Sequence, residues 1–412
     1  MNANSQPDAK ELKSGKMSLL LIFLTVFIDL IGFGIVIPVM PTFAEKLHAS
    51  SMTVGFLIAS YSLMQFLFMP FWGRLSDRVG RRPILLVSLV ASCLGYLIWG
   101  FSGSLAMLFL SRIVAGAGNA NLAVAQAYVS DVTTTETRAK GMGIVGAAFG
   151  LGFVLGPAIG GLCVGHGLAT VGFVAAGFSV LDLVLTFFFL PEPPKRSLAG
   201  TERFSLDPSF YWHTLLDKKL SVSLAIFLIS TFAFANMEAT IVLLTNAKFA
   251  FTPPQNSMMF VYIGLLICFI QGGMIHRLSK KYGEKKLIAV GTFLIAVGLL
   301  LTAAAQNTVM LYGALFFLAM GSGINTPSNQ SLLSKLAPTD HVGGVMGVGQ
   351  SLSTLGRIIG PAVGGAAFQY LGMASPYFIG AAAMLLAFAL SFKLKAPQIN
   401  GAAKGQEVAV KA

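Results

Sequence analysis

Hydrophobic and polar positions in this chain fall in long blocks, not in a short amphipathic period. Apolar runs occupy about 17–41, 52–72, 83–101, 104–129, 139–164, 168–190, 221–246, 256–276, 286–305, 308–334, 342–369 and 374–394. An apolar run of about 20 residues spans the roughly 30 Å hydrocarbon core of a bilayer. Continuous apolarity marks these runs better than helical period does. They predict an all-α membrane protein with twelve transmembrane helices, an even number that leaves both chain ends on one side. Most polar interruptions are short. The exception is about 191–220, which starts Pro191-Glu192-Pro193-Pro194 and ends Asp217-Lys218-Lys219. It predicts a linker between a six-helix bundle at 17–190 and another at 221–395, with a short surface helix around Phe210-Tyr211-Trp212. Residues 1–16 form a polar head, and the polar tail at 396–412 is expected to be disordered.

Composition sharpens the class. The 412 residues are 55% hydrophobic and 11% charged, against about 25% charged in soluble domains. A formal charge of +12 raises the question of nucleic acid, but the location of the charge answers it. Of 28 Lys and Arg, Lys46 and Lys248 fall on the side away from the chain ends, and Arg112 and Arg357 lie inside apolar runs. The other 24 lie on the side of the ends. Lys/Arg enrichment marks cytoplasmic loops, so both termini and the linker are expected in the cytoplasm. The first apolar run is too long for a signal peptide and lacks a small-residue cleavage site. A bacterial inner membrane is the simplest expected location. Cys93, Cys163 and Cys268 sit in separate runs and read as buried small residues with no metal-ligand spacing.

The two halves repeat. Gly150-Leu151-Gly152-Phe153-Val154-Leu155-Gly156-Pro157-Ala158-Ile159-Gly160-Gly161 is echoed by Gly356-Arg357-Ile358-Ile359-Gly360-Pro361-Ala362-Val363-Gly364-Gly365. Gly116-Ala117-Gly118 returns as Gly321-Ser322-Gly323, and Gly80 as Gly283, all at an offset of 203 to 205. Such repeats imply two six-helix bundles facing each other across a central cavity. Lys280 or Lys281 stands where the first copy has Asp77, so the copies have diverged there.

Between the second and third runs lies Gly73-Arg74-Leu75-Ser76-Asp77-Arg78-Val79-Gly80-Arg81-Arg82. It reads as a tight loop in which Gly73 and Gly80 serve a turn or a close approach. A solvated, positive-inside loop needs the arginines but not Asp77. The stretch resembles the G-x-L-x-D-R-x-G-R-R motif of the major facilitator superfamily. The resemblance implies that Gly73, Asp77, Arg78, Gly80, Arg81 and Arg82 lock a cytoplasmic gate during alternating access. The run holding Gly152, Gly156, Pro157, Gly160 and Gly161 resembles that superfamily's G-x-x-x-G-P-x-x-G-G motif, typical of drug/proton antiporter branches. Glycines every four residues allow close helix packing, and Pro157 removes a backbone donor. Asp29-Leu30-Ile31-Gly32-Phe33-Gly34 with Pro38 and Pro41 resembles the first helix of tetracycline/proton antiporters and their relatives. Those of the best-known type carry a further acid in helix nine. Residues 286–305 have none, which puts tetracycline itself in doubt.

Charges at membrane depth are costly and mark functional sites by default. Asp29 lies ~18 Å along the first helix, and Arg112, in a stretch resembling the superfamily's fourth-helix arginine motif, lies ~12 Å from the opposite face. The depths allow them to meet, so Asp29 is expected to couple protons or face substrate under the influence of Arg112. A static buried ion pair is the alternative. Glu238 lies ~25 Å and Arg357 ~22 Å along their helices, compatible with pairing or a shared cavity. Asp182 is mid-span and ranks below Asp29. Gln65, Asn119, Asn121, Gln126, Asn236, Asn325, Asn329, Gln330 and Gln350 are candidate cavity polar groups. Tyr61, Phe33, Phe149, Phe232 and Phe234 are candidate aromatic walls. His166, His213, His276 and His341 fall at helix ends and loops.

No G-x-x-x-x-G-K-[ST] loop is present to cradle ATP phosphates, so an ion gradient is the expected energy source, with no cofactor and no metal. The resulting expectation is a monomeric, proton-coupled exporter of small amphipathic drugs embedded in lipid. Proton-coupled transport of a sugar, amino acid or siderophore is the alternative. A non-transporting receptor on the same fold leaves Asp29, Arg112 and Glu238 unexplained, and no nucleophile–base pair suggests an enzyme.

Overall fold

The computed structural model describes residues 9–119, 122–133, 138–193, 208–338 and 341–395. It is all-helical: α1 Ala9–Val36, α2 Met40–Lys46, α3 Ser51–Val79, α4 Arg81–Gly100, α5 Leu105–Gly118, α6 Leu122–Val132, α7 Arg138–Cys163, α8 Leu168–Phe189, α9 Pro208–Leu216, α10 Ser221–Phe249, α11 Pro253–Phe269, α12 Ile275–Tyr282, α13 Glu284–Ala304, α14 Thr308–Leu336, α15 Val342–Leu371 and α16 Ser375–Ser391. Among the described residues, nine helical stretches are long and apolar enough to cross a membrane. The shorter apolar helices Gly150–His166 and Ser375–Ser391 accompany them. Large apolar side chains such as Phe187, Phe188 and Phe189 stay exposed on the outer surface, as lipid-facing residues do.

Local chemistry sets several boundaries. The first span breaks in two. A residue before proline is pushed out of the helical region, and α1 stops at Val36, just short of Ile37-Pro38; α2 restarts with Pro41 in its first turn, where a missing N–H costs nothing. Ser50, Ser104 and Asn307 cap α3, α5 and α14 by accepting from the amides of Thr53 (3.2 Å), Met107 (3.3 Å) and Met310 (2.9 Å). The eighth span is interrupted by a π-helical segment, Ile270–Met274, beyond which α12 has no buried residue. The surface helix expected around Phe210 is α9. Phe210 packs against His341, ring centroids 5.7 Å apart, with Leu220, Leu224, Leu333, Val345 and Val348 beneath it.

The expected loop at 73–82 is not a loop. Helix α3 runs on through Arg74, Ser76 and Asp77 to Val79, and Gly80 alone separates it from α4. Nothing between Arg74 and Val79 breaks a helix, and Gly73 is helical with open space around it. Only Gly80, at φ 123°, uses glycine's freedom. The cysteines also depart from expectation. All three are half-buried, because they sit on helix flanks where a small apolar group is tolerated.

Each six-helix set has its own core. In the first, Ile35, Val36, Leu57, Tyr96, Trp99 and Leu108 are fully buried; in the second, Ile241, Met259, Ile288, Leu315, Leu318 and Met384 are. The sets meet tightly at the end away from Arg74–Arg82. A Cβ on Gly55 would sit 2.3 Å from the carbonyl oxygen of Pro361, and one on Gly365 would sit 2.5 Å from that of Ser51. Every hydrogen bond between the sets among the described residues lies at this end. Met52 N donates to Gln369 Oε1 (3.1 Å), and Asn246 Nδ2 donates to Thr42 Oγ1 (3.2 Å) and Glu45 Oε2 (2.8 Å). At the arginine-rich end the Asp77 side chain is 55% exposed and α12 stands clear. The two sets are thus closed together at one end and apart at the other.

Candidate functional site: a charged cavity between the two helix sets

Two adjoining spaces, of about 450 and 510 Å³ including the parts open to solvent, share Phe33, Tyr61 and Arg357 as walls. In the first, α1 supplies Thr25, Asp29 and Phe33, α3 supplies Tyr61 and Gln65, and Asn119 follows α5. Asn119 Nδ2 donates to Asp29 Oδ2 at 2.7 Å, and Gln65 Nε2 donates to the Asn119 carbonyl at 3.2 Å. Asp29 is 5% exposed. The amide chain fixes its carboxylate on the cavity wall. Phe33 stacks on Tyr61, centroids 5.0 Å apart.

The second space holds Arg112, Glu238 and Arg357 with Ile37, Met40, Ile58 and Pro361. The expected Asp29–Arg112 pair is not formed. Among the described residues no ion pair joins them; Asn119 occupies that role at Asp29. Arg112, 1% exposed, lies 5.6, 5.8 and 5.2 Å from the ring centroids of Tyr61, Tyr96 and Trp99. Its Nη2 donates to Ser111 Oγ at 3.4 Å. The electron-rich faces of three rings offset part of the cost of a buried guanidinium. Glu238 and Arg357 share the cavity and are not ion-paired within 4.0 Å.

Other expected residues stand apart from these spaces. Asp182 is fully buried in α8; Thr186 Oγ1 donates to it at 3.3 Å and shares a 3.1 Å bond with Thr25 Oγ1. Asn236 Nδ2 donates to the Pro376 carbonyl (2.9 Å), and Asn325 Nδ2 to Ser230 Oγ (2.9 Å). Both tie helices together. Asn329 is likewise spent on Ser223. Gln126 and Gln350 are half-buried outside both linings, and Gln330 is exposed. Phe232 and Phe234 pack on the second core. Asn121 and the side chain of Phe149 lie outside the described residues.

The glycine run of α7 meets α1 backbone to backbone. Cβ atoms at Gly152, Gly156 and Gly160 would fall 2.6 Å from Leu30 Cβ, Gly34 Cα and Ile35 O, while Gly161 lies against Ser257 of the second set. Pro157 sits inside a continuous helix. Asp29 is thereby carried on a helix whose neighbour fits it without side chains.

The arginine-rich end has partners that sequence reading missed. Arg81 Nη1 meets Asp77 Oδ1 at 2.5 Å, and Arg81 Nε meets Asp131 Oδ2 at 2.8 Å. Glu192, in the Pro-Glu-Pro-Pro stretch, accepts from the amides of Arg81 (2.6 Å) and Arg82 (2.9 Å), capping α4. Arg82 donates to the Phe187 carbonyl and lies 5.7 Å from the Phe187 ring centroid. Arg78 is exposed. In the second set Glu284 pairs with Lys335 and accepts from Ser279 (3.0 Å) and Ser331 (3.2 Å). Arg81 maps to Glu284 at offset 203, and Asp131 to Lys335 at 204. The same two positions form a pair in both sets with the charges exchanged. The Asp–Arg spacing of 77 and 81 was a visible helical signal; the Glu192 cap had none.

Two pseudo-symmetric six-helix sets around a charged central cavity define a membrane transporter, not an enzyme. The chain matches the Major Facilitator Superfamily over residues 22–280 and 226–411, and it belongs to that superfamily. It is 30% identical to multidrug resistance protein 2 of Bacillus subtilis over 410 residues, covering 96% of this chain and 99% of that one. It is 34% identical to tetracycline resistance protein, class H, of Pasteurella multocida over 351 residues, 84% and 87% of the two chains. The crystal structure of the human organic anion transporter MFSD10 (TETRAN) superposes with a TM-score of 0.71 at 26% identity, covering 92% and 99%.

Proposed function

We propose that this protein is a secondary active transporter that exports small amphipathic drugs in exchange for protons by alternating access. The observation that carries the reading is Asp29, a carboxylate held on the cavity wall by Asn119. A carboxylate that is wet in one state and sealed in the other binds and releases a proton as the cavity changes sides. In this reading Asp29 couples protons, Glu238 and Arg357 meet substrate, and Arg112 with its rings holds the wall between the two spaces. Asp77, Arg78, Arg81 and Arg82 belong to the gate. Relatives named for multidrug and tetracycline resistance support drug export. The distribution of Lys and Arg supports both termini in the cytoplasm, and the bacterial drug-resistance relatives support a bacterial cell membrane. Bundles at 17–190 and 221–395, joined by a linker at 191–220, would rock against each other within a monomer.

The test is proton flux in inverted vesicles with an acid interior. Added hydrophobic cations and neutral drugs should release protons from wild type, and Asp29→Asn should abolish release at unchanged expression. Release that survives Asp29→Asn refutes the coupling role. A second reading, transport of one metabolite, has two arginines at the cavity in its favour. Silence toward every drug, with release by an organic anion, would establish it.

A further inference from the structure

The drug-transport reading leaves open what a ligand must look like, and the second space narrows it. Glu238 on α10 and Arg357 on α15 line one cavity without reaching each other. Glu238 Oε1 and Arg357 Nε are both sealed from solvent, and neither has a hydrogen-bond partner. A buried acid and base in a low-dielectric space attract strongly and normally collapse into a pair. In this structure they stay unpaired. Cβ atoms on Gly356 and Gly360 would lie 2.9 and 2.7 Å from the backbone N and O of Phe232. Helices α10 and α15 are therefore in contact at the backbone, fixing where the two side chains start. The rest of the wall is mostly apolar, with Phe33, Ile37, Met40, Ile58 and Pro361, but it also carries Tyr61, Ser62 and Arg112, whose guanidinium is already faced by the rings of Tyr61, Tyr96 and Trp99.

We propose that this space is a zwitterion site. It takes an amphipathic ligand with a cationic amine toward Glu238, an anionic carboxylate or enolate toward Arg357, and an apolar body between them. The inference rests on the cavity being the transport site. Of the three charges here, Arg112 is answered in part by its three rings, so a neutral ligand leaves Glu238 and Arg357 unanswered, and a cation answers one of these two. A zwitterion answers both, with the flat guanidinium gripping its anionic end bidentately. Such a ligand also brings no net charge into the membrane, which lowers the cost of carrying it through.

The test uses one scaffold in three forms on the purified full-length protein. These are 4′-(aminomethyl)biphenyl-4-carboxylic acid, its methyl ester as the cation and its N-acetyl derivative as the anion. Binding is read by equilibrium titration. The zwitterion should bind wild type about tenfold or more tighter than either relative, since each charged hydrogen-bonded contact is worth about one decade or more. Glu238→Gln should erase its advantage over the N-acetyl acid alone. Arg357→Gln should erase its advantage over the ester alone, and Arg357→Lys should restore part of it. Equal binding of zwitterion and ester to wild type overturns the proposal, as does binding of none of the three. Because the decisive comparison uses wild type, a variant that fails to fold cannot hide the answer. Proton release driven by purely cationic drugs, with no preference for the zwitterion, would leave the transport reading standing and sink this one. A clear zwitterion preference without proton release would do the reverse.

Discussion

Replacing Gly55 by alanine attacks the seam that closes the cavity at one end. The added Cβ would stand 2.3 Å from the Pro361 oxygen and 3.2 Å from Gly365 Cα, where ordinary contact begins at 3.4 Å. The backbones of α3 and α15 must part by the 1.1 Å difference, and neither surface is a flexible side chain. Overpacking of this kind costs about 1–3 kcal/mol. The cost falls only on the state in which the seam is shut, so the closed-to-open ratio at this end drops by about 5- to 150-fold at 1.4 kcal/mol per decade. The assay is the rate at which a membrane-impermeant maleimide labels Ser51→Cys in a background lacking Cys93, Cys163 and Cys268. Gly55→Ala should raise that rate several-fold. Gly165→Ala, at a glycine with nothing within 4 Å, should not. Monodispersity and thermal stability of the purified variants separate gating from unfolding. Unchanged labelling and transport in a folded Gly55→Ala protein would show that the seam yields freely, refuting its role as the closure.

Three further outcomes are expected. Arg81→Glu combined with Asp131→Lys should retain more transport than either single change, because the second set already uses that polarity at Glu284 and Lys335; a double variant no better than the singles would deny the equivalence. Trp99→Leu removes one ring from the Arg112 cage and should lower stability by ~3 kcal/mol through lost volume and lost cation–π attraction, read as a fall in melting temperature; no change would mean the cage does not hold Arg112. Glu192→Gln should weaken the cap on α4 by roughly 0.5–1 kcal/mol, read as faster amide exchange at Arg81 and Arg82, and unaltered exchange would exclude the cap.

The fold was legible because membrane helices announce themselves by continuous apolarity, and the repeat placed the sets face to face. Asp29, Glu238 and Arg357, the last two sharing a cavity without pairing, stood out in the sequence for a related reason: charges are so costly in an apolar run that each one is conspicuous. What their neighbours do was not legible. Depth along a helix gives height but not azimuth. Asp29 and Arg112 agreed in height, yet one turned to Asn119 and the other into Tyr61, Tyr96 and Trp99. Asn236 and Asn325 looked like cavity groups because a polar amide reads the same whether it faces a ligand or staples two helices. The motif around Asp77 was recognised while its form was misjudged, since charge density suggested a loop where helix α3 simply continues.

The ion pairs at the open end have a kinetic consequence. Asp77–Arg81–Asp131 and Glu284–Lys335 each close within one helix set. Swinging the sets apart or together therefore breaks none of them. Ionic strength screens exposed pairs, but none of these pairs reaches across to the other set. Turnover should accordingly respond only weakly to a salt titration: these pairs serve the gate by bracing each set internally, and the close-packed glycine seam carries the barrier to reorientation.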